Sequence, residues 1–157
     1  MINKDVCSME RHWQALTLSS NAFFDANDFE KALSNYERAL TSAESLNNRM
    51  ADCIRLDVPF MQVYIISCTN LANTYEALGE LEYADRMFKR VVYYLLHLQV
   101  HVQLDQNEIR SELKRATFAY LQFAGKTGVT KQKRAEFFSR LKKQLSEGSE
   151  NIKFTNR

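Results

Sequence analysis

The chain has 157 residues, 45% of them apolar, with only 4 Gly and 1 Pro and a formal charge of +2. That length and apolar share suffice for one domain with its own core, so a single domain over residues 1–157 is expected. So little Gly and Pro excludes a many-turned β fold, and the abundance of Ala, Leu, Glu, Lys, Arg and Gln predicts an all-α protein.

No stretch reaches the ~18–20 apolar residues of a membrane span, and the opening MINKDVCSMERHW lacks the apolar centre of a secretory signal. A cytoplasmic location is the expectation. Cys7, Cys53 and Cys68 are odd in number and widely spaced, with no CxxC, so reduced thiols are expected, with neither a disulfide framework nor a zinc knuckle. The charge is uneven: ten Lys/Arg against Glu112 and Glu136 make residues 110–143 strongly basic, and the rest is net acidic.

In chain order, Trp13, Leu16 and Phe23 recur at helical spacing between His12 and Phe24 and predict a first helix, ended by the polar run 25–28. Asp28 can cap a second helix. From Phe29 through Ala32, Tyr36, Ala39, Ala43, Leu46 and Met50 to Ile54 its stripe meets no Pro or Gly, so some seven turns are expected. Asp57 followed by Pro59 predicts a new start and a third helix over 59–78, which Gly79 ends. The fourth is expected over 80–102. Its segment VVYYLLHLQV is β-rich by propensity, but the stripe Tyr83, Ala84, Met87, Phe88, Val91 enters it at helical period and no second strand exists to pair with it. Asp105 and Glu108 have capping-box spacing and open a fifth helix that should stop near Gly125. Thr130 can cap a sixth, fading at Gly148 into a frayed tail over 148–157.

Residues 27–40 (NDFEKALSNYERAL) and 79–92 (GELEYADRMFKRVV) share a turn, then an Ala, then an aromatic four places later. Small residues let two helices approach, an aromatic fills the gap beside them, and stacked hairpins bury each other's second face. Here the chain resembles the tetratricopeptide repeat. Ser20 and Ala72 match its first small position, Phe23 and Tyr75 the aromatic of helix A, Phe29 and Leu81 the position after the turn, Ala32 and Ala84 the second small position. Tyr36 and Phe88 then match the aromatic of helix B, and Ala39 and Val91 its last position. The match covers about half the chain. The paired alanines are 52 positions apart where the repeat has 34. Helices two and three should therefore be elongated. The chain is also similar to small bacterial proteins with elongated repeats of this kind, a likeness that implies a fold and no activity. Together these imply a right-handed α-α superhelix of about six helices in three antiparallel hairpins: 8–56, 57–103, and a degenerate third hairpin or basic cap over 105–147.

In the repeat family, ligands lie along the concave face made by the first helix of each hairpin. Carried over by position, that face bears Gln14, Thr17, Asn21, Phe24 and Asp25 from helix one and Thr69, Asn70, Asn73 and Glu76 from helix three. The resemblance thus implies a non-enzymatic adaptor binding a peptide or helix of another protein, with amides pairing to backbone and Phe24 as an apolar anchor. Asn21 and Asn70 also occupy two places of the family's carboxylate clamp, but Thr17 stands where its first Lys belongs, and Arg110 and Lys114 are the remaining candidate cations. The small chaperones of bacterial injection systems are a further likeness that the wide spacing weakens.

Arg110, Lys114, Lys131, Lys133, Arg134 and Arg140 form a basic patch, and with Phe137 and Phe138 it could meet nucleic acid or an anionic surface. Phe137, Phe138, Leu141 and Leu145 also fall at helical spacing, which makes them a buried stripe with the cations as its wet face. His97 and His101 are one turn apart with Asp105 a turn further, but HLQVH lacks a general-base Glu, and no metal or cofactor is expected. The apolar helix over 80–102 is either central or a homodimer interface. No dinucleotide fingerprint, P-loop or nucleophile elbow occurs, so no enzymatic activity is expected.

Overall fold

Three aspartates open helices by placing a carboxylate oxygen against first-turn N–H groups that have no partner within the helix. Asp5 accepts from Cys7 N at 2.7 Å, Asp28 from Lys31 N at 3.3 Å, and Asp105 from Asn107 N and Glu108 N at 3.0 and 3.2 Å. The computed structural model describes residues 5–128 and 131–155, with side chains over 5–128 and 132–144. Among the described residues the chain is all-α, in the order α1 (Val6–Asp25), α2 (Phe29–Asn47), α3 (Met50–Arg55), α4 (Phe60–Ala77), α5 (Leu81–Leu98), α6 (Gln106–Thr127) and α7 (Lys131–Thr155). None of the helices described is long and apolar enough to cross a membrane.

The chain divides within α5 into two compact units, residues 1–87 and 88–157. In the first, α2 packs against α1 on one side and α4 on the other. Ala32, Ala39 and Ala43, all but fully buried, keep α2 slim enough for both. The Trp13 indole donates to Ser67 Oγ at 2.7 Å, and Ser67 Oγ in turn donates to Val63 O at 2.8 Å, so a buried polar pair ties α1 to α4.

The sequence repeat reappears in the backbone. At the end of α1, Asn27 is left-handed (φ 61°), Asn27 N bonds Phe24 O and Asp28 N bonds Phe23 O; at the end of α4, Gly79 is left-handed (φ 76°), Gly79 N bonds Glu76 O and Glu80 N bonds Tyr75 O. Both are Schellman endings, which satisfy terminal carbonyls and turn the chain back on itself. Asp57 (φ 56°) ends α3 the same way, with Asp57 N on Ile54 O and Val58 N on Cys53 O.

In the second unit, aromatic contacts join the remaining turns of α5 to α6 and α7. Phe88 meets Phe123 at 4.9 Å between centroids, Tyr120 meets Phe137 at 4.6 Å, and Tyr93 meets Phe137 edge-on at 6.0 Å. Lys89 Nζ lies 5.6 Å from the centroids of both Tyr120 and Phe137.

Several boundaries differ from the sequence expectation. The first helix starts at Val6, which is fully buried and follows the Asp5 cap. The long second helix is broken into α2 and α3, because Asn47 and Asn48 favour leaving the helix and Arg49 does so at φ −117°, ψ 42°. Asp57 is no cap for α4; it is committed to ending α3, and Pro59 stands at the N-cap. α5 stops at Leu98, where Val100 and Val102 face solvent at 70% and 88% exposure and no burial holds β-branched residues in the helix. Gly125 lies inside α6, whose neighbours Phe123 and Ala124 are buried, and Gly128 (φ 74°) is the stop. α7 continues past Gly148 to Thr155. Thr130 lies outside the described residues, as does the side chain of Leu145.

Two glycines therefore predict opposite outcomes. A Cβ at Gly125 meets open space within a right-handed helix, so Gly125→Ala should raise stability by about 0.5–1 kcal/mol. Gly79→Ala must hold Ala at positive φ and should lower it by about 1–2 kcal/mol. Urea unfolding of both variants checks the pair, and equal signs would contradict the backbone assignment.

Candidate functional site

The Schellman ending of α1 carries the chain directly into α2, which brings the last two turns of α1 beside the second turn of α2; α4 closes the third side. Asn21, Phe24 and Asp25 from α1, Tyr36 from α2, and Asn70 and Asn73 from α4 enclose a pocket of about 250 Å³. All six belong to the first unit. Tyr36 is buried, Asn21, Phe24 and Asn70 are half-buried, and Asp25 and Asn73 are exposed at the mouth.

Tyr36 Oη donates to Asn21 Oδ1. That bond occupies the amide oxygen, so Asn21 turns its Nδ2 donors elsewhere. Phe24 is held edge-on by Phe29 at 5.1 Å between centroids. Thr74 Oγ1 donates to Asn70 O at 2.7 Å, tying a threonine to the backbone of the turn that presents Asn70. Burial pushes the Tyr36 phenol above its ordinary range, and the Asp25 carboxylate adds to the shift. Beside the pocket, Tyr75 Oη donates to Glu37 Oε1 at 3.3 Å and its ring stacks on Tyr83 at 5.3 Å. Burial, then Glu37, raises the Tyr75 phenol as well.

Of the residues expected on the groove, the pocket gathers Asn21, Phe24, Asp25, Asn70 and Asn73. Gln14 is exposed on α1 outside it, and Glu76 is half-buried outside it. Thr17 is buried with Trp13, Leu16 and Ser20, and its Oγ1 has no hydrogen-bond partner among the described residues, so it belongs to the packed face of α1. Tyr36 was expected only to fill space beside Ala32. Its hydroxyl is the signal for more, because the matching Phe88 has none and a buried phenol requires a partner. Among the described residues no Lys, Arg or His lines the pocket.

The basic patch is distributed over α6 and α7. Arg110, Lys114, Lys133 and Arg140 are exposed, Arg134 is half-buried, and the side chain of Lys131 lies outside the described residues. Arg110 Nη2 donates to Asn107 Oδ1. Phe137 and Leu141 are buried, and Phe138 is half-buried with its ring centroid 5.6 Å from that of Phe137. Among the described residues of this unit the exposed aromatic is Phe118, 61% exposed on α6. His97 and His101 stack edge-on at 5.9 Å, but α5 ends at Leu98, so no helix carries the spacing on to Asp105. Among the described residues no group of three His, Cys, Asp or Glu is placed to hold a metal ion. Cys53 and Cys68 are buried and Cys7 half-buried, and burial raises the Cys53 thiol above its ordinary range.

A family model described as "Protein of unknown function (DUF2753)" matches residues 11–151. The chain belongs to that family. The matched span runs from the second turn of α1 into α7 and includes every residue of the pocket. No curated protein matches the chain, and no solved structure does.

Removing the Tyr36 hydroxyl tests the pocket's internal bond. Tyr36→Phe should lower stability by about 0.5–1.5 kcal/mol, since it strands Asn21 Oδ1. A phenol whose folded pKa is raised stabilises fully below its unfolded value of about 10 and loses that contribution as pH climbs past it. Wild-type stability should therefore fall on the alkaline side of about pH 10, and the fall should be shallower in Tyr36→Phe. Denaturant melts across alkaline pH measure both effects.

Proposed function

We propose that the first unit is a tetratricopeptide-like hairpin scaffold of a right-handed α-α superhelix, and that the protein is a non-enzymatic adaptor binding an extended segment of another protein across α1 and α4. The observation that carries this reading is the pocket of Asn21, Phe24, Tyr36, Asn70 and Asn73 at the place where the repeat family seats its ligands. Three amides there offer donors and acceptors together, as pairing with a peptide backbone requires, and Phe24 supplies an apolar contact.

The two matching turns support the repeat reading. Asn27 and Gly79 hold the same left-handed position, with the same pair of backbone bonds around each. The break after Asn47 also explains the long spacing: the added residues fold into the separate short helix α3 and its own turn.

A role for the basic unit in meeting nucleic acid is the second reading, favoured by one observation: Phe118 stands 61% exposed on the same helix as Arg110, Lys114 and Arg115. The buried Phe137 has no part in it.

Affinity capture from the source organism's lysate with the wild-type chain and with Asn21→Ala/Asn73→Ala distinguishes the readings. A defined protein retained by the wild type and bound about tenfold or more weakly by the double variant is the expected result, two lost amide contacts being of that order. Equal capture by both removes the pocket from the function. Nucleic acid released by moderate salt would move the function to α6 and α7.

A further inference from the structure

Among the described residues, the pocket's lining contains one charged side chain, Asp25, and no cation. Two helix ends strengthen that sign. α1 ends at Asp25 and α4 at Ala77, so the carbonyl ends of both helix dipoles lie at the pocket's end of the scaffold, and neither helix has a basic residue in its last turn to offset them. The surrounding unit has seven Lys/Arg against thirteen Asp/Glu, a net charge of −6. The Asp25 charge also reaches the buried interior, since it helps hold the Tyr36 phenol in its protonated form.

Size limits the occupant. A volume of about 250 Å³ falls below the ~300–1,000 Å³ of pockets that enclose small-molecule ligands, and it suits one long side chain. From these observations we propose that the pocket seats an Arg or Lys side chain of the bound segment, its charge on Asp25 and its methylene stem along Phe24. This rests on the adaptor reading above and fixes the chemistry of the partner: a basic peptide, opposite in sign to the carboxylate ligand of a clamp. The exposed mouth lets the charged head keep part of its hydration while the stem is buried. The asparagine amides at the walls then serve the neighbouring backbone, with Asn21 offering its Nδ2 because Tyr36 holds its oxygen.

The test uses the full chain and pools of short capped peptides of uniform length, randomised except at a central position fixed as Arg, Lys, Glu or an uncharged residue, with binding read by fluorescence anisotropy. The expected result is retention of the Arg and Lys pools over the others, weakened about fivefold by Asp25→Asn, as an exposed ion pair allows. Asp57→Asn, which removes an equal charge outside the pocket at a position Asn tolerates, should leave binding unchanged. If Asp57→Asn weakens binding as much as Asp25→Asn does, the attraction is general to the acidic unit and the proposal is overturned. Binding of Glu or uncharged pools that depends on Asn21 and Asn73 would overturn the basic ligand and leave the adaptor reading in place. If no pool binds, both fall. Self-association that Asp25→Asn abolishes would make the occupant a second copy's basic stretch, and would overturn a separate partner.

Discussion

Helix α2 must be covered on two sides, and its own small residues decide how closely. Ala32, Ala39 and Ala43 remove bulk along the lines where α1 and α4 approach, so both lie near the α2 backbone. Tyr36 is the one aromatic among the buried residues of α2, beside Leu40 and Leu46. Its ring lines the pocket together with residues of α1 and α4. The buried Trp13–Ser67 bond fixes α1 against α4 farther along the same helices. The polar residues of the pocket are those the flanking helices present at the level of Tyr36.

This explains which parts of the fold were legible in the sequence. The helical stripes and the aspartate caps at Asp28 and Asp105 are local signals, and local structure follows them. The repeated turn was readable because Asn27 and Gly79 are residue types that accept positive φ. Two of the failures share one cause: stop signals compete with tertiary burial. Gly125 looks like a stop, but its buried neighbours outweigh the roughly 1 kcal/mol that a helical Gly costs. Val100 and Val102 look like a continuation, but nothing covers them. Asn47 and Asn48 look neutral in a long apolar stripe, yet they fall where Arg49 turns out of the helix and pairs with Asp52 at 2.8 Å. Asp52 bonds both Arg49 and Arg55, which holds its carboxyl below the usual range. That short ionic cluster on α3 is invisible to periodicity.

The candidate site was legible to a similar degree. Asn21, Asn70 and Asn73 were placed on one face by the positions the repeat resemblance assigns them, and they lie on regular helices around one pocket. Thr17 could not be separated from them by spacing alone, since its small side chain suits either environment, and burial decided it. Tyr36 was hidden for the opposite reason: as a core aromatic it had a sufficient role already. Only its bond to Asn21 shows the hydroxyl serving the pocket.

Charge separates the two units as clearly as contacts do. The first is net acidic and contains the amide-lined pocket; the second carries the excess of Lys and Arg on α6 and α7, with its aromatics Tyr120, Phe123 and Phe137 consumed by packing. Lys89 lies against two of those rings, so part of the basic charge is itself a packing element. The two units differ in kind as well as in sign. On α6 and α7 the exposed cations are spread over helix faces, an arrangement that attracts without fixing orientation. In the acidic unit, three helices hold a carboxylate, a phenol and three amides around one small pocket. That arrangement can select as well as attract, and selection is what the proposed adaptor role requires.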